Sequence, residues 1–396
     1  MVYGYYPTVK HLRSFLIIGA LSVLCASCSN NTRDSQGASD GIVINLDAGF
    51  SKEFSIFDVF SKVEIVELEN ALNAQVAEET IICKAFGDSS FFLLDRGDHL
   101  LKRFDYQGKL ISTSNYFGRG PGEFTMAQDM IVNKYTNTLD ILDPRGIIYK
   151  YRLQDLSWEQ TIDLSEKMNS AHFFAAASQK EYLFYSLVDS PAVFICSTDE
   201  DIAARPLSNS VPEWLRRSSF CGGGSPFFDT DQGLFYVEKS DGSVYRFDGK
   251  SLARESSWDM GKYSFNAEEL TPDKDYFYYS RLAETMTRKS AFSFCRTAET
   301  RKYLLQNFRF KGRNNWNAIV FDKERNQATI VKQTKEGVYL LAGEIVENKM
   351  YYLINPSIIG IVVNENVLKD RRDLETLKQI KDESNIILVR YEFIDE

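Results

Sequence analysis

From residue 79 onward the chain alternates short apolar runs with compact polar breaks. "TIICKAF", "SFFLLD", "HLLKRFD" and "KLISTSNYF" follow one another, separated by "GDS", "RGD" and "YQG". Runs this short, rich in β-branched and aromatic residues and bounded by Gly and Asp, read as strands joined by tight turns. Amphipathic helical segments do not alternate with them, which disfavours a parallel sheet with crossover helices.

The pattern repeats. "FFLLDRGDHLLKRFDYQGKLI" from Phe91, "LDILDPRGIIYKYRLQDLSWEQTI" from Leu139 and "LFYVEKSDGSVYRFDGKSLARE" from Leu234 share one order. Each has an apolar strand, an acid (Asp95, Asp143, Glu238), a turn, and a second strand ending in a basic–aromatic pair. Those pairs are Arg103-Phe104, Lys150-Tyr151 and Arg246-Phe247. Asp95 and Asp143 are 48 residues apart, and Asp143 and Glu238 are 95 apart, about two such periods. The run at residues 181–199 fills the gap, and "YLLQNFRF"/"NAIVFDK" and "GVYLLAGEIV"/"KMYYLINP" continue the theme. A four-stranded propeller blade takes roughly this length. The 356 residues from 41 to 396 therefore predict an all-β, six-bladed propeller of antiparallel blades. Both "GIVINLD" (41–47) and "NIILVRYEF" (385–393) read as strands. Pairing of terminal strands would close the ring and remove an open edge. Just before the last strand, Leu374, Leu377 and Ile380 fall at helical spacing, predicting a short helix packed on the propeller.

Composition sharpens this. Aromatics reach 13%, with 28 Phe and 21 Tyr, and 46 basic against 55 acidic residues leave a net charge of −9. No basic run stands out, so a nucleic-acid partner is not expected. At the N-terminus, Lys10 and Arg13 precede the apolar run at 15–27, which is short for a membrane span. It ends in "CASC", placing Cys28 where a bacterial lipobox has its lipidated cysteine, although Cys25 stands where Leu is usual. The expected organisation is a lipoprotein signal (1–27), a flexible tether (28–40) and the propeller (41–396). The address is then the outer membrane, reached through the lipid and facing periplasm or exterior. Cys83, Cys196 and Cys295 lie in apolar strand-like runs and read as core residues. Among Cys83, Cys196, Cys221 and Cys295 no Cys-x-x-Cys pair occurs.

"YFGRGPGEF" (116–124) falls between the last strand of one repeat and the first of the next. Pro121 fixes its own φ and restricts Gly120, while the glycines allow positive φ or close approach. A phosphate loop would need Gly-Lys-Ser/Thr, and here Glu123 follows the last glycine. The segment reads as a structural crossover, with Arg119 and Glu123 as candidate binding side chains if they face the funnel. "LKRFDYQGKLISTSNYFGRGPGEF" closely resembles the signature of six-bladed β-propeller lipoproteins of Bacteroidetes, relatives of NHL-repeat propellers. Asp105, Gly108, Lys109, Gly118, Gly120, Pro121, Gly122, Glu123 and Phe124 carry the match. The resemblance spans about residues 53–396. It implies the fold and an envelope location, and it implies no catalytic residues.

Catalytic chemistry is sparse. Of three histidines, His11 lies in the signal, and His99 and His172 are distant in sequence. "DTDQG" (229–233) is a fragment of a calcium loop without its further acids, and reads as a polar turn. Two segments offer a binding rim: Trp214, Arg216 and Arg217 in "PEWLRRSSF", and Arg313 and Trp316 in "KGRNNWNA". Trp with Arg suits stacking on a sugar or anchoring a peptide. Packing between blades is the plainer role for the tryptophans. The expected function is a lipid-tethered binding or scaffold module for a glycan, peptide or envelope protein, with no cofactor. The alternative is a hydrolase or lyase using funnel carboxylates, with or without calcium.

Overall fold

The computed structural model describes residues 41–77, 81–189, 191–199, 203–208, 224–266, 288–312 and 315–394. Residues 41–396 make one compact unit. They form six four-stranded antiparallel sheets arranged as propeller blades. Blade 1 is Ile81–Phe86, Ser90–Asp95, Leu101–Asp105 and Leu110–Ser114, so the first four runs of the repeat are its four strands in order. Blade 2 is Asp129–Asn133, Thr138–Asp143, Ile147–Arg152 and Trp158–Asp163. Blade 3 is Phe173–Ala176, Glu181–Tyr185, Val193–Ser197 and Arg205–Ser208. Blade 4 is Phe227–Thr230, Gly233–Val237, Val244–Phe247 and Leu252–Ser256. Blade 5 is Phe292–Glu299, Tyr303–Arg309, Trp316–Asp322 and Gln327–Val331. In blade 6, Glu344–Val346, Lys349–Ile354 and Ile387–Phe393 come from the C-terminal part of the chain, and the fourth strand, Phe60–Glu67, from the N-terminal part.

That fourth strand closes the ring, and it corrects one expectation. The closing partner of Ile387–Phe393 is not residues 41–47 but Phe60–Glu67, in register from Phe60↔Phe393 to Glu67↔Ile387. The physical reason is local. Asn45 accepts from the Asp47 and Ala48 N–H groups and turns the chain into a 3-10 helix at Leu46–Ala48. Only Ile42–Val43 stays extended, pairing in parallel with Trp258–Asp259. "FSKVEIVE", by contrast, alternates and buries Val63 and Ile65.

The core is not one central mass. Among the described residues it forms six apolar layers, one between each pair of adjacent blades. Successive side chains on a strand point to opposite faces. On Ser90–Asp95, Phe91 and Leu93 accordingly pack toward blade 6 while Phe92 and Leu94 pack toward blade 2. Both faces are covered, which is why the second strands read as continuous apolar runs rather than alternating ones. Phe and Tyr fill these layers, as in the stacked pairs Phe91–Phe104 and Phe294–Phe308. The aligned acids hold equivalent places: Asp95 and Asp143 end the second strands of blades 1 and 2, and Glu238 directly follows that of blade 4. Cys83, Cys196 and Cys295 are buried free thiols, as expected. The helix α2 (Arg371–Gln379), which follows the single-turn α1 (Ile359–Val362), is capped by Asp370. Leu374, Leu377 and Ile380, in and just after α2, pack on the layer between blades 5 and 6. Among the described residues no helix is long and apolar enough to cross a membrane.

The Gly-Pro-Gly segment runs from the outermost strand of blade 1 to the innermost of blade 2, as a crossover should. Phe124 N–H donates to the Tyr116 carbonyl and Gly118 N–H to the Phe124 carbonyl. The buried Tyr151 hydroxyl donates to the Gly122 carbonyl at 2.7 Å. Gly122 has φ +73°, and a Cβ there would lie 2.3 Å from Trp158 Cγ. Left-handed backbone costs a non-glycine residue roughly 1–2 kcal/mol, and overpacking adds to it. Gly122→Val is expected to lower the free energy of unfolding by roughly 2–4 kcal/mol, read by chemical denaturation. An unchanged denaturation midpoint would show that the corner is not needed.

Candidate functional site

The six first strands line the propeller axis, and between them lies a cavity of about 740 Å³. That is the size range of small-molecule sites. Because each blade contributes its innermost strand, residues far apart in sequence meet here: Lys84 from blade 1, Asp129 from blade 2, Phe173 from blade 3, Arg296 from blade 5 and Glu344 from blade 6. Lys239, Arg309, Trp316 and Tyr352, from the second and third strands or their corners, complete the wall.

Cations on this wall are seated over aromatic rings. The Arg309 guanidinium is 4.2 Å from the Trp316 ring centre and that of Arg296 is 4.8 Å from Tyr352. Lys84 Nζ lies 5.7 Å from both Phe86 and Tyr352. Lys239 Nζ sits 4.6 Å from Phe173 and donates to the Gly224 carbonyl at 2.7 Å. Such contacts hold a long basic side chain in place while leaving its edge able to donate hydrogen bonds. Lys134 and Asp229 also line the cavity and form an ion pair at 2.6 Å that links blade 2 to blade 4.

Asp129 opens the innermost strand of blade 2 and is buried. Its carboxylate accepts from the Phe174 N–H at 3.1 Å. Burial pushes its pKa up to about 7, and nearby Glu344 adds to the shift; the Phe174 and Met130 N–H groups and Lys239 oppose it. Cys83 and Cys295 also border the cavity, but burial raises both thiols, so neither is set up as a thiolate nucleophile. Among the described residues no three His, Cys, Asp or Glu side chains gather as metal ligands. In "DTDQG", Asp229 pairs with Lys134 and Asp231 with Arg301 at 2.8 Å, and the segment is the polar hairpin turn of blade 4. His172 Nδ1 accepts from the Leu187 N–H at 3.3 Å, and His99 packs against Phe117 with ring centres 4.6 Å apart; neither lines the cavity.

The residues singled out from sequence divide sharply. Trp316 lies on the cavity wall. Arg119 and Glu123 do not: the Glu123 carboxylate folds back on its own loop to accept from the Gly120 N–H at 2.8 Å, and Arg119 is exposed beside it. Cys28, Trp214, Arg216, Arg217 and Arg313 lie outside the described residues. Sequence reading passed over Asp129, Lys239, Arg296, Glu344 and Tyr352. Their only local signal is a charge or tyrosine set in or beside an apolar strand run, such as Asp129 before "MIVN".

Fold and cavity together define a six-bladed β-propeller with an axial, cation- and aromatic-lined pocket. Residues 41–392 match the family described as domain of unknown function DUF4934, and the chain belongs to that family. No curated protein matches it. Among solved structures it is similar to a protein of Bacteroides fragilis NCTC 9343 named as exported, at 14% identity and a TM-score of 0.65, over 89% of this chain and 100% of that one. It is also similar to a member of the DUF4221 family from Bacteroides vulgatus, at 10% identity and a TM-score of 0.52, over 85% of this chain and 97% of that one. These likenesses concern the fold.

Proposed function

We propose that the protein is a binding module of the bacterial envelope whose axial cavity takes a small glycan or peptide. The observation that carries this is the cavity itself: a rigid ring of six innermost strands presenting basic side chains over aromatic faces. Rigid scaffolds of this kind bind by preorganised side chains, with little ordering cost on association. The test is a thermal-shift screen of the purified protein against glycans and peptides, with product analysis of every hit. Stabilisation that Trp316→Ala abolishes, without turnover, supports binding; hits indifferent to Trp316 place the ligand elsewhere.

A second reading, a hydrolase or lyase working from the funnel, draws on one observation. Asp129 carries a carboxyl with a pKa near 7, as an acid–base group requires. Turnover lost in Asp129→Asn would replace the binding reading with this one.

The envelope address rests on the signal-like N-terminus and Cys28, and accords with the name of the Bacteroides fragilis protein of the same fold. Lipid on Cys28 would tether the propeller to the outer membrane. Radiolabelled palmitate should enter the wild type and not Cys28→Ala; equal labelling would exclude that anchor.

A further inference from the structure

The charge on the cavity wall runs against that of the whole chain. The chain carries a net −9. The described wall residues include five cations, Lys84, Lys134, Lys239, Arg296 and Arg309, and three acids, Asp129, Asp229 and Glu344. The Lys134–Asp229 pair cancels itself. By formal charge the remaining wall residues are four cations and two acids, and burial raises the pKa of one of those acids, Asp129. Lys239, Arg296 and Arg309 are gathered on blades 4 and 5: all three act electrostatically on the Cys295 thiol between them, each favouring its thiolate against burial.

Arg296 is the informative member. Its guanidinium is stacked on Tyr352 and makes no ion pair or hydrogen bond with any described residue. An arginine held over a ring in a concave, partly desolvated wall keeps its planar fork of N–H donors for an oxyanion. A low-dielectric funnel lined by one sign of charge also concentrates ligands of the other.

We infer that the axial cavity selects a small anionic ligand, whose carboxylate or sulfate groups are received by Arg296 with Lys84, Lys239 and Arg309 while its body packs on Trp316 and Tyr352. This deepens the proposed function and rests on that reading. The shared chemistry is the oxyanion. An acidic sugar and an acidic peptide both supply it, and experiment separates them.

The test is isothermal titration of the purified full chain with three probes of similar size: digalacturonate, the dipeptide Glu-Glu and neutral cellobiose. The titrations are run at two ionic strengths, with Arg296→Gln beside the wild type. Thermal unfolding without ligand confirms that the variant is folded. Expected is binding of at least one anionic probe, weakened at the higher salt and by tenfold or more in Arg296→Gln, with no binding of cellobiose. Whichever anion binds identifies the source. Equal binding of cellobiose and the anions, unaffected by Arg296→Gln, overturns the anion inference but leaves the binding module standing. Failure of both anions to bind overturns the inference; the wider glycan and peptide screen then decides the binding module separately.

Discussion

Replacing Lys150 with methionine is expected to destabilise the protein by about 3–5 kcal/mol, the usual cost of leaving one partner of a buried ion pair alone. Lys150 and Asp140 are 2% and 0% exposed and lie between blades 2 and 3. The ammonium donates to Asp140 at 3.0 Å, to the Tyr182 hydroxyl at 2.9 Å and to Thr136 at 3.0 Å. The carboxylate also accepts from Asn133 at 2.8 Å, Tyr182 at 2.8 Å and Thr138 at 2.6 Å. Every group in this cluster has a partner, so it fixes how blade 3 docks on blade 2. Methionine fills the volume of the lysine stem but removes the positive charge, and the three remaining donors do not supply it. The double replacement Lys150→Met/Asp140→Leu removes the stranded charge but takes an acceptor from Asn133, Tyr182 and Thr138, so it should recover only part of the loss. Urea denaturation of the wild type, both single variants and the double variant gives the cycle. A single variant within about 0.5 kcal/mol of wild type would mean that the pair is not what holds the blades.

Lys150 also shows what the sequence can and cannot disclose. Its place in the repeat was readable: Arg103, Lys150 and Arg246 align, and all three lie on third strands. Its partner was not, because Tyr182 comes from the next blade and only the docking of two sheets brings the hydroxyl to the ammonium. The same limit governs the cavity. Lys84, Asp129, Arg296 and Glu344 stand on four different blades, so no spacing motif can mark them. They meet because each occupies an innermost strand, a position that rotation about the axis repeats. Blade number and strand order, in contrast, follow from local alternation and turn residues, which the chain writes plainly. The closing strand is ambiguous in the sequence because two strand-like runs precede blade 1, and one side-chain cap, Asn45, decides between them. Glu123 follows the same local logic. A carboxylate three residues from a glycine N–H can satisfy itself locally, and here it does so instead of reaching the funnel.

Asp129 should make the protein less stable as pH rises from about 4 to about 7, and Asp129→Asn should remove that slope. The sign follows from proton binding. The folded carboxyl has its pKa pushed up to about 7 by burial, whereas the unfolded value is near 3.8. Between these values the folded state holds a proton that the unfolded state has lost, so each step up in pH favours unfolding. Below about pH 4 both states are protonated and the group is silent. Above about pH 7 both are ionised and the full penalty applies, up to about 4 kcal/mol. Asparagine keeps an oxygen to accept from the Phe174 N–H and carries no charge to desolvate. The variant should therefore exceed the wild type in stability at pH 8 by up to about 4 kcal/mol, and the two should converge toward pH 4. Denaturation of both proteins across that range reads the difference directly. Parallel curves, with no convergence at low pH, would show that the Asp129 carboxylate is already well solvated by the cavity. The same substitution takes a negative charge from the wall above pH 7, so retention of an anionic ligand at high pH should improve in the variant. That second readout separates a carboxyl that faces the cavity from one that merely lies buried behind it.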